Sequence, residues 1–128
     1  VLDYGDAMPN DDLISRVFRT VDGTDPAAFV EFFTPDGRLT FANEAPMVGH
    51  AAMVEGLTAF YGTIKALHHK IVNSWTVDTN TIIETAVTYD RLDDRSVTIP
   101  VVTIWHTTAA GLIDDYRVFF NLDPVYAP

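Results

Sequence analysis

The chain contains no cysteine. Disulfides, thiolate nucleophiles and cysteine-based zinc sites are therefore excluded. Basic residues are scarce: 8 Lys and Arg stand against 18 Asp and Glu, for a formal net charge of −10. A field of that sign repels phosphate, so neither nucleic acid nor an anionic membrane surface is expected as a partner. No apolar run approaches the length of a membrane span. The opening "VLDYGDAMPNDD" has no basic n-region and no apolar h-region, so no signal peptide is read there and a cytoplasmic location is expected. Glycine-rich phosphate loops and serine nucleophile elbows are missing. No pair of histidines has metal spacing with a carboxylate as third ligand, so no metal and no cofactor is expected.

What is present is a chain of 128 residues, 48% hydrophobic, which is enough for one domain with a real core. Residues 1–9 carry no periodicity and read as an N-terminal arm, leaving 10–128 as the domain. "NDDLISRVFRTVD" places Leu13, Ile14, Val17, Phe18 and Val21 on one helical face, with Asn10 or Asp11 as cap. Asp25-Pro26 is a second helix start, followed by the short "PAAFVEFF". "TPDG" reads as a turn. "RLTFAN" alternates, with Leu39, Phe41 and Asn43 on one side. A third helix, "GHAAMVEGLTAFYG", buries Met53, Val54, Leu57, Phe60 and Tyr61.

The period then changes. "ALHHKIVNSWTV", "NTIIETAVTYDRL", "SVTIPVVTIWHTT" and "LIDDYRVFFNL" are strands rich in Val, Ile, Thr and aromatics, joined by short links. Short links imply an antiparallel meander. Pro100 falls mid-strand and should sit where no ladder donor is needed. Helices followed by long strands give an α+β architecture. Strands this long must bend, so the sheet is expected to wrap three N-terminal helices as a cone-shaped α+β barrel with a pocket at its mouth.

This order, together with "TPDGRLTFAN", "VGHAAM" and "DYRVFFNLDPVYA", resembles the NTF2-like superfamily over roughly residues 10–125, and within it the SnoaL-like polyketide cyclases. Ketosteroid isomerase, limonene-epoxide hydrolase and scytalone dehydratase are cousins. The resemblance implies a conical pocket for a small hydrophobic molecule; the apolar outer face, with Val102, Ile104 and Phe119, leads us to expect a homodimer through the sheet. The isomerase's catalytic positions fall on Phe41, Val17 and Thr103, which cannot do that chemistry. The epoxide hydrolase's Arg-x-Asp pair resembles Arg91–Asp93, but its other positions fall on Leu39, Phe41 and Val118. "LDDRS" also reads as a hairpin turn, which would carry Asp93 out of the cavity. Scytalone dehydratase fits better: its aspartate survives as Asp22, and a histidine seven residues before a tryptophan matches His68 before Trp75. Its tyrosines are replaced by Val21 and Phe41, and its second histidine is missing near Arg91 and Leu92.

"ALHHKIVNSW" poses the central question, because neighbours on a strand face opposite ways. Facing His68 inward carries Lys70, Val72 and Ser74 with it. Facing His69 inward carries Ile71, Asn73 and Trp75, which hydrophobicity alone favours. The resemblance favours His68, and a dimerising sheet tolerates an apolar outer face, so His68 is taken as the inward residue. Thr85, Val87, Tyr89 and Arg91 are expected inward on the next strand, then Ile99, Val101, Thr103 and Trp105, then Tyr116, Val118 and Phe120.

Candidate catalytic residues are thus His68 as general acid or base, Asp22 to fix its tautomer, and Tyr89 and Tyr116 to hydrogen-bond a substrate oxygen. Val17, Phe18, Leu39, Phe41, Asn43, Tyr61, Arg91, Thr103, Trp105, Val118 and Phe120 are the expected substrate wall. The activity expected is a cofactor-independent dehydratase, isomerase or cyclase working by proton transfer on a polyketide-, terpene- or steroid-like molecule. The alternatives are a non-catalytic ligand-binding or dimerisation module on the same fold and, less favoured, an epoxide hydrolase.

Overall fold

A computed structural model describes residues 11–128; the expected arm over 1–9 and the candidate cap Asn10 lie outside them. Helix α1 (Asp11–Asp22) turns its Ile14, Val17 and Phe18 face into the core. Asp25 caps α2 (Pro26–Phe29) by accepting the Ala28 N–H at 3.1 Å, with proline at the first helical position. A single 3₁₀ turn, Val30–Phe32, leads into strand β1 (Phe33–Phe41). After β2 (Met47–Val48), helix α3 (His50–Tyr61) packs against β1. The His50 ring hydrogen-bonds the carbonyls of Phe33 and Thr34 at 3.1 Å each, tying the start of α3 to the start of β1. Strands β3 (Ala66–Val77), β4 (Asn80–Asp90), β5 (Ser96–Thr107) and β6 (Ile113–Phe119) follow, then a short helix α4 (Asp123–Tyr126).

The six strands lie in the order β2-β1-β6-β5-β4-β3. The α+β class and the four long strands match the sequence reading, but the sheet is mixed and open. β1 runs parallel to β6, where a curved antiparallel sheet was expected throughout. The "TPDG" turn is also absent: these residues lie inside β1, where pairing to β6 slips between Phe33 and Arg38. The irregularity absorbs the Pro and Gly that signalled a turn. Pro100 pairs with Ala86 on β4, and β6 begins to pair only at Val102, so no neighbour on that side asks for its missing N–H.

The phase of β3 depends on one residue. Pairing to β4 runs regularly from Ala66 to Ile71, then skips Val72 and resumes at Asn73. This one-residue bulge reverses the inward face. Before it, Leu67 and His69 are buried and Ile71 partly so, lying opposite Tyr89, Val87 and Thr85. After it, Ser74 lies opposite the fully buried Ile83.

Candidate active site

The inward phase of β3 brings His69, not His68, to the interior. His69 is 6% exposed, and its ring stacks on Phe18 of α1 with centroids 4.6 Å apart and planes 14° apart. Asp22, the last residue of α1, reaches across with both carboxylate oxygens. Oδ1 sits 2.6 Å from His69 Nδ1, and Oδ2 accepts the His69 backbone N–H at 2.9 Å. A carboxylate accepts only, so Nδ1 carries the proton and Nε2 keeps the lone pair. The hydrogen bond that the His69 peptide N–H donates to Oδ2 fixes the carboxylate against the backbone of the residue whose ring it orients. His68 is corrected to the other face: it pairs with Thr88, its side chain is 47% exposed, and its Nδ1 is 3.7 Å from Asp22 Oδ2. Lys70 and Val72, expected inward beside it, are exposed as well.

Beside the pair lies a narrow cavity of about 40 Å³, with room for a few waters. β1 supplies Leu39 and Phe41, α3 supplies Leu57, Phe60 and Tyr61, and β3 supplies Leu67 and His69. Tyr89, Val101 and Thr103 line it from β4 and β5, and Tyr116, Val118 and Phe120 from β6 and just beyond. Val21 and Phe29 close the helical side. Phe41 contacts Phe60 and Phe120 edge-on, at 5.5 and 5.6 Å between centroids. These same three rings also border an outer basin of about 600 Å³ that includes Asn43, Glu44, Asn121 and Asp123. The rings are the partition between basin and cavity.

The cavity's polar groups are few. Burial pushes the Tyr61, Tyr89 and Tyr116 hydroxyls well above the ordinary phenol value, and the Asp22 carboxylate adds to the rise in each. All three stay protonated and can donate. Tyr116 stacks on Trp105 at 5.4 Å, and its hydroxyl is hydrogen-bonded with Thr103.

Of the expected site residues, Leu39, Phe41, Tyr61, Tyr89, Thr103, Tyr116, Val118 and Phe120 gather around this space, and Asp22 reaches it through His69. Val17, Phe18 and Trp105 are buried in the core behind the wall. Ala42 takes a positive φ of 47° and ends the alternation, leaving Asn43 exposed in the outer basin. Arg91 sits at the β4–β5 turn, 2.9 Å from Asp93, and donates to the Pro124 carbonyl, so the Arg-x-Asp pair takes no part in the cavity. Among the described residues, no group of three or more His, Asp or Glu could hold a metal ion.

The family model for the SnoaL-like domain matches residues 14–116, a span that runs from α1 through the strands carrying the site. The chain belongs to the SnoaL-like family. This SnoaL-like domain shares its fold with several solved structures. One is an uncharacterised protein with a ketosteroid isomerase-like fold from Catenulispora acidiphila, in complex with trimethylamine. It is 20% identical, with a TM-score of 0.83 over 94% of this chain and 92% of that one. Another is SalBIII, an epoxide hydrolase/cyclase-like enzyme of pyran ring formation in the polyether salinomycin: 20% identity, TM-score 0.75, coverage 87% and 89%. A candidate SnoaL-like polyketide cyclase from Jannaschia sp. CCS1 is 18% identical, with a TM-score of 0.79 and coverage of 97% and 99%. At these identities the likeness speaks for the fold. No curated protein matches the chain.

Proposed function

We propose that this SnoaL-like domain is a cofactor-independent enzyme that moves a proton on a small hydrophobic substrate held in the cavity, as a dehydratase, isomerase or cyclase. The observation that carries the reading is the Asp22–His69 pair: His69 lines the cavity, with its Nδ1 committed to the Asp22 carboxylate behind it. His69 Nε2 takes the proton as general base and returns it as general acid. Asp22 positions the ring and stabilises the imidazolium that forms, in the way a carboxylate serves the histidine of a hydrolase triad. The protonated phenols supply donors for the oxygen on which negative charge develops. The aromatic partition excludes bulk water once a ligand is inside. The Arg91–Asp93 pair lies at an outer turn, away from the cavity, so epoxide hydrolysis is the lesser reading.

A second reading is a non-catalytic ligand-binding module. At about 40 Å³, against roughly 300–1,000 Å³ for sites that take drug-sized ligands, the cavity must widen to admit a substrate in either reading. Flat phenols, cyclic enones and epoxides, screened by thermal shift and then for turnover, separate the two. A ligand at 100 times its Kd raises stability by roughly 2.7 kcal/mol in either case. Turnover that disappears in His69→Ala supports the enzyme. Binding without turnover of any bound compound supports the module.

The outer face of the sheet is proposed as a homodimer interface. Trp75, Ile82 and Ile104 pair across it in one row and Val102 and Phe119 in the next, with Trp75 half-exposed and Phe119 47% exposed. Light scattering at micromolar concentration gives twice the chain mass if this holds and the chain mass if it does not.

A further inference from the structure

Three buried side-chain polar atoms lack a hydrogen-bond partner among the described residues: Thr34 Oγ1, Trp105 Nε1 and the Tyr61 hydroxyl. Of these residues only Tyr61 lines the cavity. A buried hydroxyl without a partner costs about 1–3 kcal/mol, and native proteins rarely leave one so. The other phenol whose partner is defined there, Tyr116, is already engaged with Thr103. Tyr61 is held by the last turn of α3, and Gly62 behind it closes the helix through its N–H to the Thr58 carbonyl at 3.1 Å. Its ring packs against Phe60 at 5.8 Å between centroids, beside the aromatic partition. It is therefore an enclosed, unpartnered donor on a residue of the cavity wall, beside the aromatic partition.

We propose that Tyr61 is the donor that receives the ligand's oxygen, and that the ligand is a flat apolar molecule bearing a carbonyl or enolate oxygen. A hydrocarbon would leave the hydroxyl orphaned. An organic cation would meet aromatic faces but offer the donor nothing to bond. This deepens the reading of the cavity as the ligand site, because it names the group on the substrate that carries the charge His69 creates. Tyr61 is then the oxyanion donor, opposite in role to the base.

The test uses 1-tetralone, its hydrocarbon match tetralin, and tetramethylammonium as probes, with Kd measured by calorimetry for wild type and Tyr61→Phe. Wild type is expected to prefer tetralone over tetralin by several-fold to about tenfold, the worth of one hydrogen bond. Tyr61→Phe abolishes that preference while tetralin affinity is unchanged, and the bound carbonyl stretch moves toward its value in apolar solvent. The unliganded variant is as stable as wild type or more so, which separates lost recognition from lost structure. A preference for tetralone that survives in Tyr61→Phe overturns the proposal. So does equal or absent binding of tetralone and tetralin to wild type, or tighter binding of tetramethylammonium than of tetralone. The outcome is independent of the base: if Tyr61 controls tetralone affinity but His69 variants leave its α-protons exchanging at the wild-type rate, the general-base reading fails and the donor assignment stands.

Discussion

Asp22 holds His69 at two points, the ring Nδ1 at 2.6 Å from Oδ1 and the backbone N–H at 2.9 Å from Oδ2. The carboxylate thereby sets both the tautomer and the direction of the ring. His68, one residue away, meets the same carboxylate from the outer face, its Nδ1 3.7 Å from Oδ2 and its side chain 47% exposed. The adjacent histidines therefore differ in what a mutation should do.

His69→Gln should lower turnover on any identified substrate by roughly 10²–10⁴-fold, the usual worth of a general acid or base. His68→Ala should leave turnover within about twofold of wild type and stability within about 0.5 kcal/mol. Steady-state kinetics of the two variants side by side checks this, and the reverse ranking would restore His68 as the base.

Asp22→Asn should reverse the tautomer. The asparagine oxygen can keep the backbone N–H of His69 while its amide donates to Nδ1, which moves the ring proton to Nε2. The base is then blocked although the fold is kept, at a stability cost of about 1–3 kcal/mol. Nitrogen NMR of the histidine ring reads the tautomer directly; a ring still protonated at Nδ1 in the variant would contradict the role given to Asp22.

Deleting Val72 should be far worse than replacing it. Its side chain is 52% exposed, so Val72→Thr should change stability by no more than about 0.5 kcal/mol. Removing the residue closes the bulge and forces one half of β3 to face the wrong way, burying Lys70 or expelling Leu67 and His69. Urea unfolding should show loss of the cooperative transition or a drop of several kcal/mol for the deletion alone.

Stability should fall at alkaline pH. The folded-state pKa values of Tyr61, Tyr89 and Tyr116 lie above the unfolded phenol value of about 10. Their contribution is complete below that value and is lost as pH rises through it, because the unfolded chain ionises first. Three such groups give a slope of up to roughly 4 kcal/mol per pH unit above pH 10. Melting temperature against pH should be flat with respect to these groups up to about pH 9 and then drop, and tyrosinate absorbance should rise together with unfolding.

The helices and long strands were legible because their signals are local: the apolar face of α1, the Asp25–Pro26 start, and the β-branched runs between short turns. The family, too, could be read from motifs spread along the chain. The parallel β1–β6 pairing was not legible, since it joins segments far apart in sequence, and β2 is too short to show a period. The site was half legible. Asp22, the three phenols and the Phe41 and Phe120 walls were visible as residue types at strand spacing. The inward histidine is not legible from the motif spacing to Trp75, because that spacing does not show where the strand bulges. His68 and Trp75, at odd separation, share the outer face only because Val72 bulges between them. Two adjacent aliphatics, Ile71-Val72, give no sign of which one is extra. Hydrophobicity had pointed to His69, and it was the better guide because it counted what each face must bury.

The most direct measurement is proton exchange at the α-carbon of 1-tetralone in heavy water, followed by NMR, with wild type, His69→Gln and His68→Ala in parallel. It reads abstraction of a proton without knowledge of the natural product. Exchange accelerated by wild type and by His68→Ala, and lost in His69→Gln while tetralone still binds, is the expected result. Exchange that is no faster than in buffer, or that survives in His69→Gln, would contradict a cavity built around His69 as base.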